Sequence, residues 1–570
     1  MLHWNRYIIF GAIWAVLATG CVAPAPSSTA PTGDRSAQAP RAVAPKRVTA
    51  ALTGDPPNLS YRFNPGGIVP GIDRLEEFIH SGLTVVDDQA NRQPQLSEAV
   101  PTIENGLWKL LPDGRMETTW KIRENAKWHD GKPLTTDDLV FAATVEQDPE
   151  IPVAKSIGYA SVESIEPIDA RTITVKWRRP YIFADEMFTS TFALAMPKHL
   201  LEGPYTENKA AFLELPYWTS EFVGTGPFKL KEFARSSYLI LSANPDYALG
   251  RPKLDEIVLK IIPDWDTLGA NILAGEVDVT PGGRITLEWA TQVRDQWRDG
   301  KLEVSIGKGG SWFAMFPQFL TPNPAVLTNL QFRQALVYAL DRQQLADGLL
   351  AGVVPVAEAM FGPTDPEYKD IQSSIVKYDH DPRRAAQMIE GLGYVRGPDG
   401  GLRDASGQRL GLEVRTITAE TQQKLTFSTI DFWKQIGIAA EPSIIPLQLA
   451  RDPEQYSTHP GFLVVRNPAN MRGLTGLHSS RSPLPENRFT GLNYGRYKSE
   501  EFDAIIDALN VTVPMPDRMR VLGQAVRHMS ENVNVIGLVF NPDPLLLSNK
   551  LTGISADRPT WNTHLWDVRS

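Results

Sequence analysis

The stretch Trp128-His129-Asp130-Gly131-Lys132-Pro133-Leu134-Thr135-Thr136-Asp137-Asp138-Leu139-Val140-Phe141 decides the reading of this 570-residue chain. By itself it is a turn that runs into a helix. Asp130-Gly131 and Lys132-Pro133 are turn chemistry, since glycine reaches positive φ freely and proline presets its own. Thr135 is placed to cap the helix, and Asp138, three residues on, is placed to reach back to it as in a capping box. Asp137 and Asp138 also sit at the positive end of the helix dipole. His129 beside Asp130, or the two adjacent acids, admit a catalytic reading as well. Turn and capping roles account for all four without a substrate.

Other phrases follow in order. They are Val223-Gly224-Thr225-Gly226-Pro227-Phe228-Lys229-Leu230, then Asn244-Pro245-Asp246-Tyr247 and Gly250-Arg251-Pro252-Lys253-Leu254-Asp255. Ile272-Leu273-Ala274-Gly275-Glu276-Val277-Asp278 comes next, and last Phe332-Arg333-Gln334-Ala335-Leu336 with Ala339-Leu340-Asp341-Arg342. Taken together, these phrases resemble the landmarks of bacterial extracellular solute-binding protein family 5, the peptide/nickel-type ABC transporter substrate-binding proteins. The resemblance implies an α/β, periplasmic-binding-protein-like fold of type II, with two hinged lobes plus an inserted β-rich domain. It puts lobe I at 47–83, 221–305 and 541–570, the inserted domain at 84–220 and lobe II at 306–540. It also implies a receptor that captures a peptide or similar organic solute between the lobes and delivers it to ABC importer permease subunits.

The bulk composition agrees with such a body. The length exceeds what one core serves, so several lobes are expected. Apolar residues make up 42% and charged residues 22% of the chain, as in ordinary globular proteins. The net charge of −9 comes from interspersed acids and bases with no basic block, which argues against nucleic acid as a partner.

Cys21 is the only cysteine, so no intramolecular disulfide forms. The apolar run 7–17 is too short to span a bilayer and reads as the core of a signal peptide over 1–20. Leu17-Ala18-Thr19-Gly20-Cys21 resembles a bacterial lipobox, with Ala18 where Leu is usual, and Cys21 is then the lipidated N-terminus of the mature protein. A buried cysteine behind an ordinary secretory signal is the alternative. The Ala/Pro/Ser-rich segment 21–46 cannot bury a core and reads as a tether from the membrane to the folded body.

Along the body, 47–52 reads as the first strand and 71–81 as a helix. Residues 116–122 and 172–177 alternate between two faces, the second cleanly, as half-buried strands do. Further strands are expected at 228–233, 238–243, 257–262 and 277–280, with a helix at 266–274. After Gly310 helical signals dominate. Phe332, Ala335, Leu336, Ala339 and Leu340 form an apolar stripe continued by Leu345, Leu349 and Leu350. Phe427, Ile430, Trp433 and Ile436 form another. Asp381-Pro382 and Ser499 cap helices, and Asp517 is expected to start one.

No G-x-S-x-G, H-E-x-x-H or Walker loop occurs, and the nine histidines form no close pair. The expectation is therefore a non-enzyme, without cofactor or metal; the resemblance and the lipobox-like segment imply a monomer outside the cytoplasm. Candidate ligand contacts are Tyr61, Arg62 and Asn64 in one loop, Trp312 and Phe313 after the expected crossover, and Arg466 and Asn467 in Val464-Val465-Arg466-Asn467-Pro468. Peptide binders of the resembled family commonly carry an acid in that last phrase to pair with the ligand's amino group. None stands here, and an ammonium buried without a counter-charge is costly. An oligosaccharide or an anionic, opine-like solute is thus an alternative to a free-amino peptide, as is a sensory receptor without transport. Arg466, Arg472, Arg481 and Arg488 either meet an anionic group or are solvated loop residues.

Overall fold

Arg47–Leu52 lies in the middle of a seven-stranded sheet. The strand order is Gly300–Ile306, Pro542–Ser548, Val279–Gly282, Arg47–Leu52, Glu256–Ile261, Tyr238–Ala243 and Phe228–Ala234. The central strand runs parallel to both its neighbours, and the outer strands pair antiparallel. Val48, Ala50 and Leu52 pack into one apolar cluster, and Ala51 packs into another with Ile262 and Leu268. Both faces of this sheet are therefore covered, as sheets with parallel strands require. The computed structural model describes residues 45–569 apart from 65–68, 154, 283–284, 307, 447 and 450–451. Cys21, the signal-like segment and nearly all of the tether lie outside the described residues.

A second sheet has five strands, ordered Ala439–Ile445, Gly411–Ile417, Phe462–Pro468, Ser311–Pro317 and Ile536–Phe540. A third has four, Trp108–Leu110, Met116–Lys121, Thr172–Trp177 and Val162–Pro167, all antiparallel. Its apolar cluster runs on into that of the five-stranded sheet.

The chain passes between the two larger sheets twice, and the passages lie side by side. Gly300–Ile306 leads into Ser311–Pro317, and Ile536–Phe540 leads into Pro542–Ser548. Gly300 faces Ser548, Ile306 faces Pro542 and Trp312 faces Phe540. At the turnover itself, Asn541 N donates to Ser311 O at 2.9 Å. Two paired strands form a narrow neck of the kind that lets domains close by bending at a few residues.

The structure corrects several expectations. A five-stranded sheet stands where helical signals dominate after Gly310. Ile536–Phe540 is buried at every position and Ser311–Pro317 at nearly every one. A strand covered on both faces shows no alternation, so its periodicity is silent. Phe427 is 45% exposed; the buried face of helix Glu420–Gln435 is carried by Leu425, Ile430, Phe432 and Trp433. The stripe from Phe332 to Leu350 is two helices, Leu330–Tyr338 and Arg342–Leu350, because Asp341 caps the second through Gln344 N. The last long helix spans Met515–Asn532, starting two residues ahead of Asp517. Pro516 fits its first turn because no intrahelical donor is needed there.

Candidate functional site

Trp128, His129 and Asp138 hold the frame of the site. Asp138 accepts from Thr135 N at 2.9 Å, Trp128 Nε1 at 3.2 Å and Lys198 N at 2.9 Å. The acid is thus a cap and an anchor, committed to three separate segments. His129 docks on Val223-Gly224-Thr225-Gly226: Gly224 N donates to its Nδ1 at 3.2 Å, and its Nε2 meets Gly226 O at 3.0 Å. A Cβ at Gly224 or Gly226 would lie 2.0 Å from Ile79 O or 2.3 Å from Ile79 C, so only glycine lets the backbones approach. Thr225 N donates in turn to His80 Nδ1 at 3.2 Å. Two sequence landmarks therefore lock together behind the end of helix Ile72–Ile79. Burial pulls His80 down to about 4 and His129 to about 3, so both are neutral at physiological pH.

The front of that helix borders a cleft of about 520 Å³. Asp73, Arg74, Glu76 and Glu77 line it from the helix, and Tyr61 and Arg62 from the preceding loop. Arg92, Glu186 and Thr189 line it from the region of the four-stranded sheet. Asn470 and Arg472 reach it from the turn after Phe462–Pro468. Arg558, Thr560 and Trp561 complete it from the C-terminal segment. The wall thus draws on segments joined to each of the three large sheets. The volume lies within the ordinary range for small-molecule pockets.

Most charges in the cleft are matched. Arg62 grips Glu146 through Nε at 3.2 Å and Nη2 at 2.9 Å. Glu186 sits between Arg92 Nη2, at 3.2 Å, and Arg472 Nε, at 2.9 Å. Asp185 takes the Nε of Arg92 at 3.0 Å. Glu77 accepts from Thr560 Oγ1 and lies 3.6 Å from Arg74. Glu76 is 4% exposed and accepts from Tyr61 N at 3.2 Å. Burial pushes its carboxyl up to about 8, so it is protonated at neutral pH. Arg558 differs from all of these. Its guanidinium has no hydrogen-bond or ion-pair partner among the described residues, and Glu77 and Asp73 act on it only through space.

Tyr61 and Arg62 therefore border the cleft, whereas the other sequence candidates do not. Asn64 is turned into its own loop, donating to Asn58 Oδ1 at 3.2 Å. Trp312 is 1% and Phe313 3% exposed, both packed in the core of the five-stranded sheet. Asn467 is 2% exposed, and Arg466 is exposed and donates to Ser311 Oγ at 2.9 Å. Of the grouped arginines, Arg472 reaches the cleft. Sequence reasoning missed Arg74, Arg92, Arg558 and Trp561. The charged helix around Arg74 reads as a solvated face, and the turn-rich Asp557-Arg558-Pro559-Thr560-Trp561 carries no periodicity. Among the described residues, no group of three His, Cys, Asp or Glu is placed to hold a metal ion.

Residues 98–518 match the model of the bacterial extracellular solute-binding proteins, family 5 Middle. The chain belongs to this family. Among family 5 relatives, the oligopeptide-binding protein AppA of Bacillus subtilis (strain 168) is 26% identical over 377 residues, 65% of this chain and 64% of its own. This chain spans a little under two thirds of the length of the curated relatives it matches first. The solved structure of that AppA with a nonapeptide is similar over 92% of this chain and 100% of its own, at a TM-score of 0.70 and 22% identity. NikZ of Campylobacter jejuni, in complex with Ni(L-His), gives a TM-score of 0.72 at 19% identity, covering 92% of this chain and 100% of its own. The fold is thus the periplasmic-binding-protein-like fold of family 5. No helix among the described residues is long and apolar enough to cross a membrane.

Proposed function

We propose that this family 5 chain is the extracytoplasmic receptor of an ABC importer, capturing a peptide or similar organic solute and delivering it to the permease. One observation carries the reading: a cleft of small-molecule size is walled by segments from both sides of a two-strand neck. We assign residues 47–83, 221–305 and 541–570 to one lobe, 84–220 to an inserted domain and 306–540 to the other lobe. Bending at the neck exchanges open for closed forms, and a ligand that touches both walls favours the closed one. The curated relative's name, an oligopeptide-binding protein, supports a peptide as the first class to test.

The test is a solute panel of oligopeptides, oligosaccharides and organic acids, followed by melting temperature and tryptophan fluorescence. A true ligand raises the melting temperature by linkage. It is recovered unchanged, as expected of a receptor that is not an enzyme. Silence across the whole panel overturns the receptor reading.

Cys21 is, in this proposal, the lipidated N-terminus left after cleavage of 1–20, and 21–46 is the tether of a monomeric receptor. Wild-type protein should take up radiolabelled palmitate and sediment with membranes, while Cys21→Ala should be released. Absence of label in the wild type ends the lipoprotein assignment.

A further inference from the structure

We infer that the cleft recognises its solute through a carboxylate held by Arg558. This rests on the receptor reading above and names the chemical class of the ligand. Each acid at the cleft has its charge met or removed. Glu186 is shared by Arg92 and Arg472, Glu77 takes the Thr560 hydroxyl beside Arg74, and Glu76 is buried against Tyr61 N. Asp73, the exposed one, lies 3.5 Å from Arg74 Nε. A free ammonium therefore meets no uncommitted carboxylate here. The guanidinium of Arg558 is the opposite case: it borders the cavity, is partly exposed to it, and has no partner among the described residues. A positive charge left unpaired on a cavity wall attracts an anion, and a planar carboxylate matches its fork with two hydrogen bonds.

Trp561 strengthens the assignment. It lines the same cleft from the turn in which its own N–H meets Arg558 O at 3.5 Å. Its indole Nε1 is buried without an acceptor. Guanidinium and indole are two open donors on one short segment, and a carboxylate has oxygens for both. The carboxylate comes either from a peptide C-terminus or from a non-peptide organic acid, and the two are separable by experiment.

Three probe arms decide the matter, read by calorimetric titration of the full mature chain. The first pairs trialanine with N-acetyl-trialanine and trialanine amide. The second uses citrate and succinate. The third uses uncharged maltotriose. Binding that survives N-acetylation but is lost on C-amidation points to a peptide C-terminus; binding in the second arm points to an organic acid. In either case Arg558→Gln should weaken binding at least tenfold, Arg558→Lys less, and Arg251→Gln, at an exposed residue that does not line the cleft, not at all. Equal binding of amide and acid, or of wild type and Arg558→Gln, overturns the carboxylate subsite. Maltotriose binding with both carboxylate arms silent overturns the subsite and leaves the receptor standing, while silence in all arms overturns both.

Discussion

Arg472 grips Glu186 through Nε, at 2.9 Å, and through Nη2, joining the turn after strand Phe462–Pro468 to the turn Ala184–Glu186. The same guanidinium lies 4.2 Å from the Phe183 ring centroid. Glu186 in turn meets Arg92, which also holds Asp185. The contact spans the two sides of the cleft, so it favours whichever arrangement of the walls brings these groups together.

Removing that grip should loosen the arrangement in which these walls meet. Arg472→Met is expected to cost about 1.5–3 kcal/mol, the scale of a hydrogen bond to a charged group. Arg472→Lys should recover only part of it, since an ammonium cannot pair bidentately. X-ray scattering in solution should show a larger radius of gyration for the Met variant. An unchanged radius and melting temperature would show that the pair is incidental.

Glu76 gives stability a pH dependence of definite sign. In the fold its carboxyl holds its proton up to about pH 8, against an ordinary value of 4.5. Its contribution is therefore fully present below pH 4.5 and is lost as pH rises towards 8. Glu76→Gln, which is neutral throughout, should become more stable relative to wild type as pH climbs from 5 to 8.5. The difference in melting temperature should be flat below about 4.5; a flat difference across the whole range contradicts the assignment.

The buried histidines act in the opposite sense. His80 is held down to about 4, and His129 and His459 to about 3, each from 6.5. Their contribution is present above pH 6.5 and is lost as pH falls towards 4 and then 3. The melting temperature of the wild type should therefore drop between pH 6.5 and 4. Equal melting at 6.5 and 4 is the outcome that contradicts this.

Trp312 is a packing residue on this geometry, so its truncation should cost fold stability rather than binding specificity. Trp312→Ala is expected to lose about 3–5 kcal/mol, the usual toll for emptying a core aromatic site. Trp312→Phe should bind any solute found in the panel within about threefold of wild type. A large loss of affinity with unchanged melting would return Trp312 to the ligand.

Alternation made Thr172–Trp177 legible, since Ile173, Val175 and Trp177 are buried on one face while Thr172 and Lys176 on the other are half-buried. Capping chemistry made helix Thr136–Gln147 legible, because Thr135 and Asp138 act through local hydrogen bonds. The cleft was legible only at Tyr61, Arg62 and, among the grouped arginines, Arg472. Asn467 stands close in chain order to the cleft residues Asn470 and Arg472, yet it sits opposite Trp312 in the interior of a sheet. Large aromatic and amide side chains suit a ligand wall and a core equally, so residue type does not separate the two.

The sequence by itself determined the family, the order of its landmarks and most single elements, because turns, caps and half-buried strands are written in neighbouring residues. Only the tertiary structure decided that Glu76 is buried and protonated, that Glu186 is shared by two arginines, and that Arg558 is left unmatched. The physical reason is that a charge is paired or unpaired according to which distant segment folds against it. Glu77 and Thr560 meet across 483 positions of chain, and no local pattern records that meeting.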